Sequence, residues 1–515
     1  MNKNIKWLCL VALTIVACSK DCEVAAVPEA SASSDGQPLT AGTANFAKYV
    51  AVGNSLTAGY SDGTLFIEGQ KGAWSTLLAN KFADVGGGEF KIPFMADNVG
   101  GFKIGGAVFQ GPRLFWNGSA PTPAAGVPST EITTRLTGPF NNMGVPGAKS
   151  FHLLAPGYGS VAGLPANANP FFVRFASSNT ATVLGDAVAQ APTFFSLWIG
   201  NNDVLGYAIS GGTGTNQTGN LNPATYGPND ITDPNVFASV YNTLLDGTNG
   251  LTKGGAKGVV SNIPSVTSVP FFTTVPHNPI PGLPAAAAGG LNQIFGGINA
   301  ALAGAGLPAR FVTLSTTEAN PLLIVDESQV NIAAQITAAF TPTFGPATAG
   351  FLGSIYGQAR HARNNATARD YILLTARGVI GTTQAAVPAS FSTIGVSYPM
   401  QDATTLTDNE TMQVKTATDA YNATILALAT AKGLAFVNAN AALAQVASTG
   451  VTANGFTVSS SYVVGGGFSL DGVHPSPRGY ALIANEFMKS INAKYGSNLK
   501  AYDLSTFRIQ FPSSL

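Results

Sequence analysis

The chain has 515 residues, of which 45% are hydrophobic and only 10% are charged. Soluble domains carry about 25% charged residues, so we predict a compact protein with an unusually neutral surface and ample material for a hydrophobic core. The 26 basic residues balance the 26 acidic ones, and the lack of a basic excess argues against a nucleic-acid partner.

The N-terminus is typical of a bacterial export signal. Lys3 and Lys6 precede an apolar run over residues 7–17, which is too short to span a bilayer. The run leads into a sequence that resembles a lipobox, and this resemblance implies a signal peptide over 1–17 and lipidation of Cys18. An ordinary cleaved signal with a chance cysteine is the alternative. We therefore expect an outer membrane lipoprotein, held to the membrane by its N-terminal lipid and facing the periplasm or the cell surface.

The cysteines and the adjacent segment agree with this interpretation. Cys9 is removed with the signal and Cys18 carries the lipid, so Cys22 remains as a single thiol and no internal disulfide is expected. Residues 18–45 are rich in Ala, Pro, Ser, Gly and Thr, which predicts a flexible tether. The folded domain is then expected over 46–515.

Strand and helix patterns alternate from the start of that domain. Continuous apolar runs indicate buried strands, and apolar residues three or four positions apart indicate helices. An unbroken run is typical of a parallel strand that is buried on both faces. In chain order we predict a strand at 48–52, a helix at 74–82, a strand at 193–199, a helix at 236–245 and a strand at 258–264.

The alternation returns near the C-terminus. Thr407 and Glu410 fit a capping box at the start of a helix, and a strand follows at 434–437. Ser476 is placed to cap a last helix that runs to about residue 495. Strands and helices in this order predict a doubly wound α/β sheet, whose active site lies at the C-terminal ends of the strands.

Four short blocks carry the residues of chemical interest. The first block follows the first strand and presents Ser55 in a glycine turn, as several hydrolases present a nucleophile. A serine hydroxyl needs an adjacent base, and His474 is the candidate because imidazole titrates near neutral pH. Asp471 is close enough in the chain to orient that imidazole. The four blocks are 53–57, 144–147, 200–203 and 471–474.

In their order and local sequence, these blocks resemble those of the SGNH, or GDSL-type, esterase/lipase family. The family is named for a Ser, a Gly, an Asn and a His, which fall here at Ser55, Gly147, Asn202 and His474. The resemblance implies a three-layer, flavodoxin-like fold and a catalytic triad of Ser55, His474 and Asp471. It also implies an oxyanion hole made by the backbone N–H groups of Ser55 and Gly147 and the side-chain amide of Asn202.

One position departs from the family. Residue 54 is Asn, where the family usually has Asp. The family's Asp is not the acid of the triad, so the change concerns tuning more than catalysis. Asn is also a good N-cap, and we expect Asn54 to cap the helix that carries Ser55.

The blocks are separated by more chain than a minimal three-layer domain of roughly 150–200 residues needs. Two insertions are therefore predicted, at about 84–140 and at about 281–400. We expect them to form a cap or rim around the active site. A decorating module remote from the site is the alternative.

The remaining polar residues give weaker signals. His152, His277 and His361 lack a comparable acidic partner in the sequence and are expected to be structural. The histidines and sparse acids form no metal-ligand cluster in the sequence, so we expect neither a metal nor another cofactor. A basic stretch is predicted to be a solvated face, with contact to anionic lipid headgroups or acidic glycans as the alternative. It comprises Arg360, His361, Arg363, Arg369 and Arg377.

Together these observations predict a lipid-anchored serine ester hydrolase that works through an acyl-enzyme, similar to lipases and carboxylesterases. Its substrate would be an ester of an acyl lipid or of an acetylated glycan. A carbohydrate O-deacetylase of the same family is one alternative. A glycan-binding surface lipoprotein that has lost catalysis is the other, and Asn54 is the feature in its favour.

Overall fold

A computed structural model of the chain describes residues 36–515. The predicted signal peptide over 1–17, the predicted lipidation of Cys18 and the predicted tether up to residue 35 lie outside these described residues. Among the helices of 36–515, none is both long and apolar enough to cross a bilayer.

The strands and helices are numbered in chain order. The strands are β1 (Tyr49–Gly53), β2 (Phe102–Ile104), β3 (Ala107–Gln110), β4 (Leu114–Trp116), β5 (Pro121–Pro123), β6 (Asn142–Gly144), β7 (Phe194–Trp198), β8 (Lys257–Ser261), β9 (Leu323–Val325), β10 (Ala359–His361), β11 (Tyr371–Ile372), β12 (Thr405–Leu406), β13 (Ala435–Val437), β14 (Val451–Ala453) and β15 (Phe456–Val458). The α-helices are α1 (Ser55–Ala58), α2 (Ile67–Lys71), α3 (Trp74–Ala83), α4 (Pro170–Val173), α5 (Val183–Ala189), α6 (Asn202–Ile209), α7 (Pro234–Leu244), α8 (Pro270–Thr273), α9 (Ala285–Gly304), α10 (Ala333–Tyr356), α11 (Asp408–Ala431), α12 (Ala439–Ser448) and α13 (Pro477–Tyr495).

A parallel sheet of five strands forms the centre of the molecule, in the spatial order β13-β8-β7-β1-β6. If these five strands are numbered along the chain, their order is 2-1-3-4-5 from the β6 edge, which is the flavodoxin-like order of a doubly wound sheet. The predicted α/β fold with a central parallel sheet is therefore confirmed.

Helices cover both faces of this sheet, which explains why β1 and β7 are buried along their whole length. Val50 and Val52 of β1 point into a core shared with α5, α7 and α11. Tyr49 and Ala51 point the other way, into a core shared with α3 and α13. Successive side chains of a strand face opposite sides, so the continuous apolar run at β1 reflects a layer of helices on each side.

The predicted helix starts are also confirmed. Thr407 and Glu410 form the capping box at the start of α11. At the start of α13, the Ser476 side chain accepts a hydrogen bond from the backbone N–H of Gly479. These caps satisfy donors that a helix N-terminus leaves free, and so they fix where two long helices begin.

The predicted tether over 18–45 extends too far, because residues 40–44 pack against the C-terminal end of α13. Thr40 donates its backbone N–H to the side chain of Asn498 at 2.7 Å, and Thr43 donates to the carbonyl of Tyr495 at 2.8 Å. Ala44 is buried in the core that contains α13. Composition alone suggested a linker here, but small residues also permit close packing against the end of a helix.

The two predicted insertions have different structures. The first contains the hairpins β2–β3 and β4–β5. The second contains α9 and α10, which share a small core of their own with β9 and β10. Helix α10 is broken at Gly345, where φ is +76° and a proline lies on each side.

The basic stretch in the second insertion is only partly solvated, which corrects the prediction of a surface face. Arg369 and Arg377 are exposed, but the Arg360 side chain is only 2% exposed. Its guanidinium bonds Asp326 at 2.5 Å and both carboxylate oxygens of Asp370 at 2.5 and 2.7 Å. The two carboxylates arrive from β9 and β11, so chain spacing did not reveal them.

Arg360→Ala should destabilise the protein by about 3–5 kcal/mol, because it removes the guanidinium that bonds two buried carboxylates. Urea-induced unfolding measures this difference. The matched control Arg377→Ala removes an exposed guanidinium and should change the free energy of unfolding by less than about 0.5 kcal/mol. Equal effects of the two substitutions would contradict the assignment of Arg360 as a buried ion-pair centre.

Candidate active site

Three of the four sequence blocks leave the sheet side by side. Gly53 at the end of β1 pairs with Gly144 of β6 on one side and with Trp198 of β7 on the other. The chain order of the strands reverses between β1 and β7, and ligands bind at such a switch point in open α/β sheets. The fourth block, 471–474, reaches the same place from the loop before α13.

The structure brings Ser55, His474 and Asp471 together. His474 Nε2 lies 2.9 Å from Ser55 Oγ, and His474 Nδ1 lies 2.9 Å from Asp471 Oδ2. When Nδ1 carries the proton and donates it to the carboxylate, Nε2 can accept the proton of the serine hydroxyl. This is the hydrogen-bonded chain that activates a serine nucleophile.

Asp471 is held as a carboxylate by the groups around it. Oδ1 accepts hydrogen bonds from the backbone N–H groups of Val473 at 2.9 Å and His474 at 2.8 Å. Ser469 Oγ adds a third at 3.1 Å. Burial by itself would raise the pKa of this carboxyl, but His474 and these hydrogen bonds outweigh burial and hold the pKa below its usual value. A negative Asp471 can therefore stabilise a positive imidazolium at His474.

The three predicted oxyanion donors lie on the loops after β1, β6 and β7. Within residues 36–515, the backbone N–H groups of Ser55 and Gly147 have no hydrogen-bond partner. Gly147 has a φ of +79°, a conformation that favours glycine. Asn202 uses one amide hydrogen to bond the carbonyl of Ala148 at 2.9 Å. A primary amide has two such hydrogens, so Asn202 retains a second donor.

Asn54 acts as the predicted N-cap of α1. Its Oδ1 accepts from the backbone N–H of Leu56 at 3.1 Å, and its Nδ2 donates to Oδ1 of Asn201 at 3.1 Å. Asn54 is 1% exposed, so both contacts are shielded from water. The Asn54 side chain thus links the loop that carries Ser55 to the loop after β7. An ionised Asp at this position could not donate this hydrogen bond, because a carboxylate only accepts.

The turn at residues 60–64 supports the loop that carries Asp471 and His474, a contact that no sequence pattern indicated. The Tyr60 ring packs against the His474 ring with centroids 4.5 Å apart. Gly63 donates its backbone N–H to Asp471 Oδ2 at 3.1 Å, the oxygen that faces the imidazole. More than 400 residues separate these partners in the chain, so no local pattern could pair them.

Asp62 is the most unusual residue of this turn. It has a φ of +51°, and its Oδ1 accepts from the backbone N–H of Leu470 at 2.9 Å. Its own backbone N–H donates to Ser469 Oγ at 3.0 Å. The pKa of Asp62 is raised to about 7, mainly by burial and also by the charge of Asp471, against the lowering effects of the Leu470 hydrogen bond and of Arg113. A short Ser-Asp-Gly sequence was the only available signal, and it indicates a turn without indicating its partner.

A cavity of about 130 Å³ opens beside Ser55. Its walls are almost entirely apolar and come from the core elements α6, α12 and α13 and from the loops after β8 and before α13. The apolar side chains of the lining are Leu56, Trp198, Leu205, Pro264, Val266, Val269, Val437, Ala439, Ala442, Leu443, Val446, Val458, Phe468, Val473, Pro475, Leu482, Ile483 and Phe487.

The expected cap is not found over this cavity. Within the described part of the chain, no lining residue of the cavity belongs to 84–140 or 281–400. The first insertion instead supports Tyr60 from behind, since Gln110 Nε2 donates to its hydroxyl at 2.8 Å. The second insertion packs Leu374 against Gly472 in the loop before α13. A Cβ on residue 472 would lie 2.9 Å from Leu374 Cδ2.

The expectation that the acids form no metal-ligand cluster is wrong. Carboxylate oxygens of Glu327, Asp402 and Glu410 all lie within 4.8 Å of one another. These residues come from three separate parts of the chain, so their sequence spacing gave no signal.

Comparison with known proteins returned no match of any kind. No protein-family model, no curated protein and no solved structure matches this chain. The resemblance to the SGNH family therefore stays a prediction that depends on the four blocks and their geometry.

Asp62→Asn should change the pH dependence of stability. Asn tolerates a positive φ and keeps the acceptor for Leu470. In the wild type the folded state retains a proton that the unfolded state releases above about pH 4, so its stability should fall by roughly 1.4 kcal/mol per pH unit up to about pH 7. The variant lacks the titrating carboxyl, so its free energy of unfolding should not fall in this way. The difference in stability between variant and wild type should therefore shift in favour of the variant as the pH rises from about 4 to about 7.

Urea unfolding at intervals between pH 4 and pH 8 measures the effect. The exposed Asp84→Asn is the matched control and should track the wild type across the series. Parallel stability curves for Asp62→Asn and wild type would show that Asp62 does not titrate in this window.

Proposed function

We propose that this protein is a serine ester hydrolase of the SGNH type. The observation that carries the proposal is the chain of contacts from Asp471 through His474 to Ser55, with both heavy-atom distances at 2.9 Å. Its position beside an apolar cavity, at the switch point of the sheet, adds support.

In the proposed reaction, Ser55 Oγ attacks the carbonyl carbon of an ester while His474 Nε2 accepts the serine proton. The negative charge that develops on the carbonyl oxygen is stabilised by N–H donors of Ser55, Gly147 and Asn202, each worth about 3–4 kcal/mol. His474 then protonates the leaving alcohol, which departs and leaves an acyl-serine. Water, deprotonated by His474, attacks the acyl group and regenerates Ser55.

The cavity favours an acyl substrate over an acetylated glycan. Glycan sites need polar groups that replace the water around sugar hydroxyls, because an unpaired buried polar group is costly. The lining beside Ser55 instead offers aliphatic and aromatic side chains from α12 and α13. An acyl chain that enters this cavity would gain about 0.8 kcal/mol for each buried CH₂. With the proposed lipid anchor at Cys18, such an enzyme would work at a membrane surface.

Ser55→Ala should abolish turnover of p-nitrophenyl esters, with a loss of at least about 10⁴-fold in kcat, because the nucleophile is removed. The assay compares esters of two to sixteen carbons and an acetylated oligosaccharide, with the full chain in detergent. Ser354→Ala, on the exposed surface of α10, is the matched control and should keep wild-type activity. Equal activity of Ser55→Ala and wild type would refute the proposed nucleophile.

Ala442→Phe should shift the preference of the enzyme toward short esters. Ala442 lies on the cavity side of α12, and a phenyl ring there would occupy space that an acyl chain needs. We expect kcat/KM to fall at least about tenfold for a long ester and to stay near wild type for acetate. Ala444→Phe, on the exposed side of the same helix, is the control. An unchanged chain-length profile would show that the acyl group binds elsewhere.

A further inference from the structure

Three carboxylates meet at the junction between the second insertion and the core. Glu327 follows β9 of the insertion, and Asp402 lies just before β12, where the chain returns to the core. Glu410 lies in the first turn of α11, a helix of the main core. Each offers an oxygen within 4.8 Å of the other two.

Two oxygens of this group are buried without a donor. Within residues 36–515, Asp402 Oδ1 and Glu410 Oε1 have no hydrogen-bond partner. Glu410 is only 2% exposed. Its other oxygen, Oε2, is used by the backbone N–H and the hydroxyl of Thr407 at 2.7 and 2.8 Å. The capping box therefore satisfies Oε2 of Glu410 and leaves Oε1 without a hydrogen-bond donor.

No side-chain cation of the described residues forms an ion pair with the three carboxylates. The nearby guanidinium groups of Arg360 and Arg363 bind another set of acids, Asp326, Asp370 and Asp408. Buried like charges repel strongly unless a cation compensates them. The described residues thus give the cluster acceptor oxygens but no cation, and burial together with the neighbouring Glu327 raises the pKa of both Asp402 and Glu410.

The backbone beside the cluster is shaped by two glycines after α6. A Cβ at Gly212 would lie 2.0 Å from Glu410 Oε1, and one at Gly211 would lie 2.1 Å from the carbonyl oxygen of Asp402. Both glycines have positive φ, at +69° for Gly211 and +79° for Gly212. Any side chain at residue 212 would fill the space beside the unpaired oxygen of Glu410.

We propose that Glu327, Asp402 and Glu410 bind a calcium ion that fastens the second insertion to the core. All the donors are oxygens, which suits Ca²⁺ and disfavours zinc, since zinc sites use mainly Cys and His. Ca²⁺ also accepts irregular coordination and binds extracellular modules weakly, whereas Mg²⁺ requires a strict octahedron. The ion would lie near the C-terminal end of α6, whose first residue is Asn202.

Terbium luminescence tests the site directly, with the full chain stripped of metal by EDTA. Tyr207, whose pKa is raised by burial and by the charges of all three carboxylates, is the aromatic residue expected to sensitise bound Tb³⁺. We expect a saturable Tb³⁺ signal that Ca²⁺ displaces with a Kd of order 10⁻⁴–10⁻³ M. We also expect Ca²⁺ to raise the Tm, since a ligand that binds only the folded state stabilises it.

Glu327→Gln is the informative variant, because Glu327 is exposed and its loss should leave the fold intact. It removes one ligand charge and should weaken Ca²⁺ binding by about tenfold or more. The exposed Glu318→Gln, in the same insertion, should bind like the wild type. The proposal is overturned if the wild type gives no terbium signal and no Tm shift in millimolar Ca²⁺. It is equally overturned if Glu327→Gln binds Ca²⁺ as tightly as the wild type.

Discussion

The parallel pairing of β1 with β6 and β7 is the constraint on which the candidate site depends. Because Gly53 pairs with both Gly144 and Trp198, three loops leave the sheet at one level. Ser55, Gly147 and Asn202 belong to these loops, so their relative positions follow from the register of three strands. A one-residue slip would turn each strand's side chains to the opposite face and would bury Val50 and Val52 in the wrong core.

A second constraint joins the two ends of the chain. The turn that contains Asp62 and Gly63 binds the loop that contains Asp471 and His474, through backbone and side-chain hydrogen bonds. This makes the imidazole's orientation a property of the tertiary structure rather than of its own loop. Asp62 is buried near the carboxylate of Asp471, whose pKa is held low, and a protonated Asp62 relieves the repulsion between the two groups.

The two insertions support the core without covering the cavity beside Ser55. The first contacts Tyr60 through Gln110, and Tyr60 in turn packs against the His474 ring. The second has its own apolar core and a buried ion-pair centre at Arg360. Its junction with the main core contains the three carboxylates of the proposed calcium site. The cavity beside Ser55 is instead lined by α12 and α13, so under the proposed function the core would decide the substrate preference.

Sequence by itself determined four of the five central strands, all but the edge strand β6, together with the caps of α11 and α13, because these follow from local periodicity and from hydrogen bonds within a few residues. It predicted Ser55, His474 and Asp471 as partners, and the 2.9 Å contacts agree. Only the tertiary structure decided the roles of Asp62, the burial of Arg360 and the cluster at Glu410. The partners of these residues lie far away in the chain. The free-energy cost of burying a charge depends on those partners, which a local sequence pattern cannot identify.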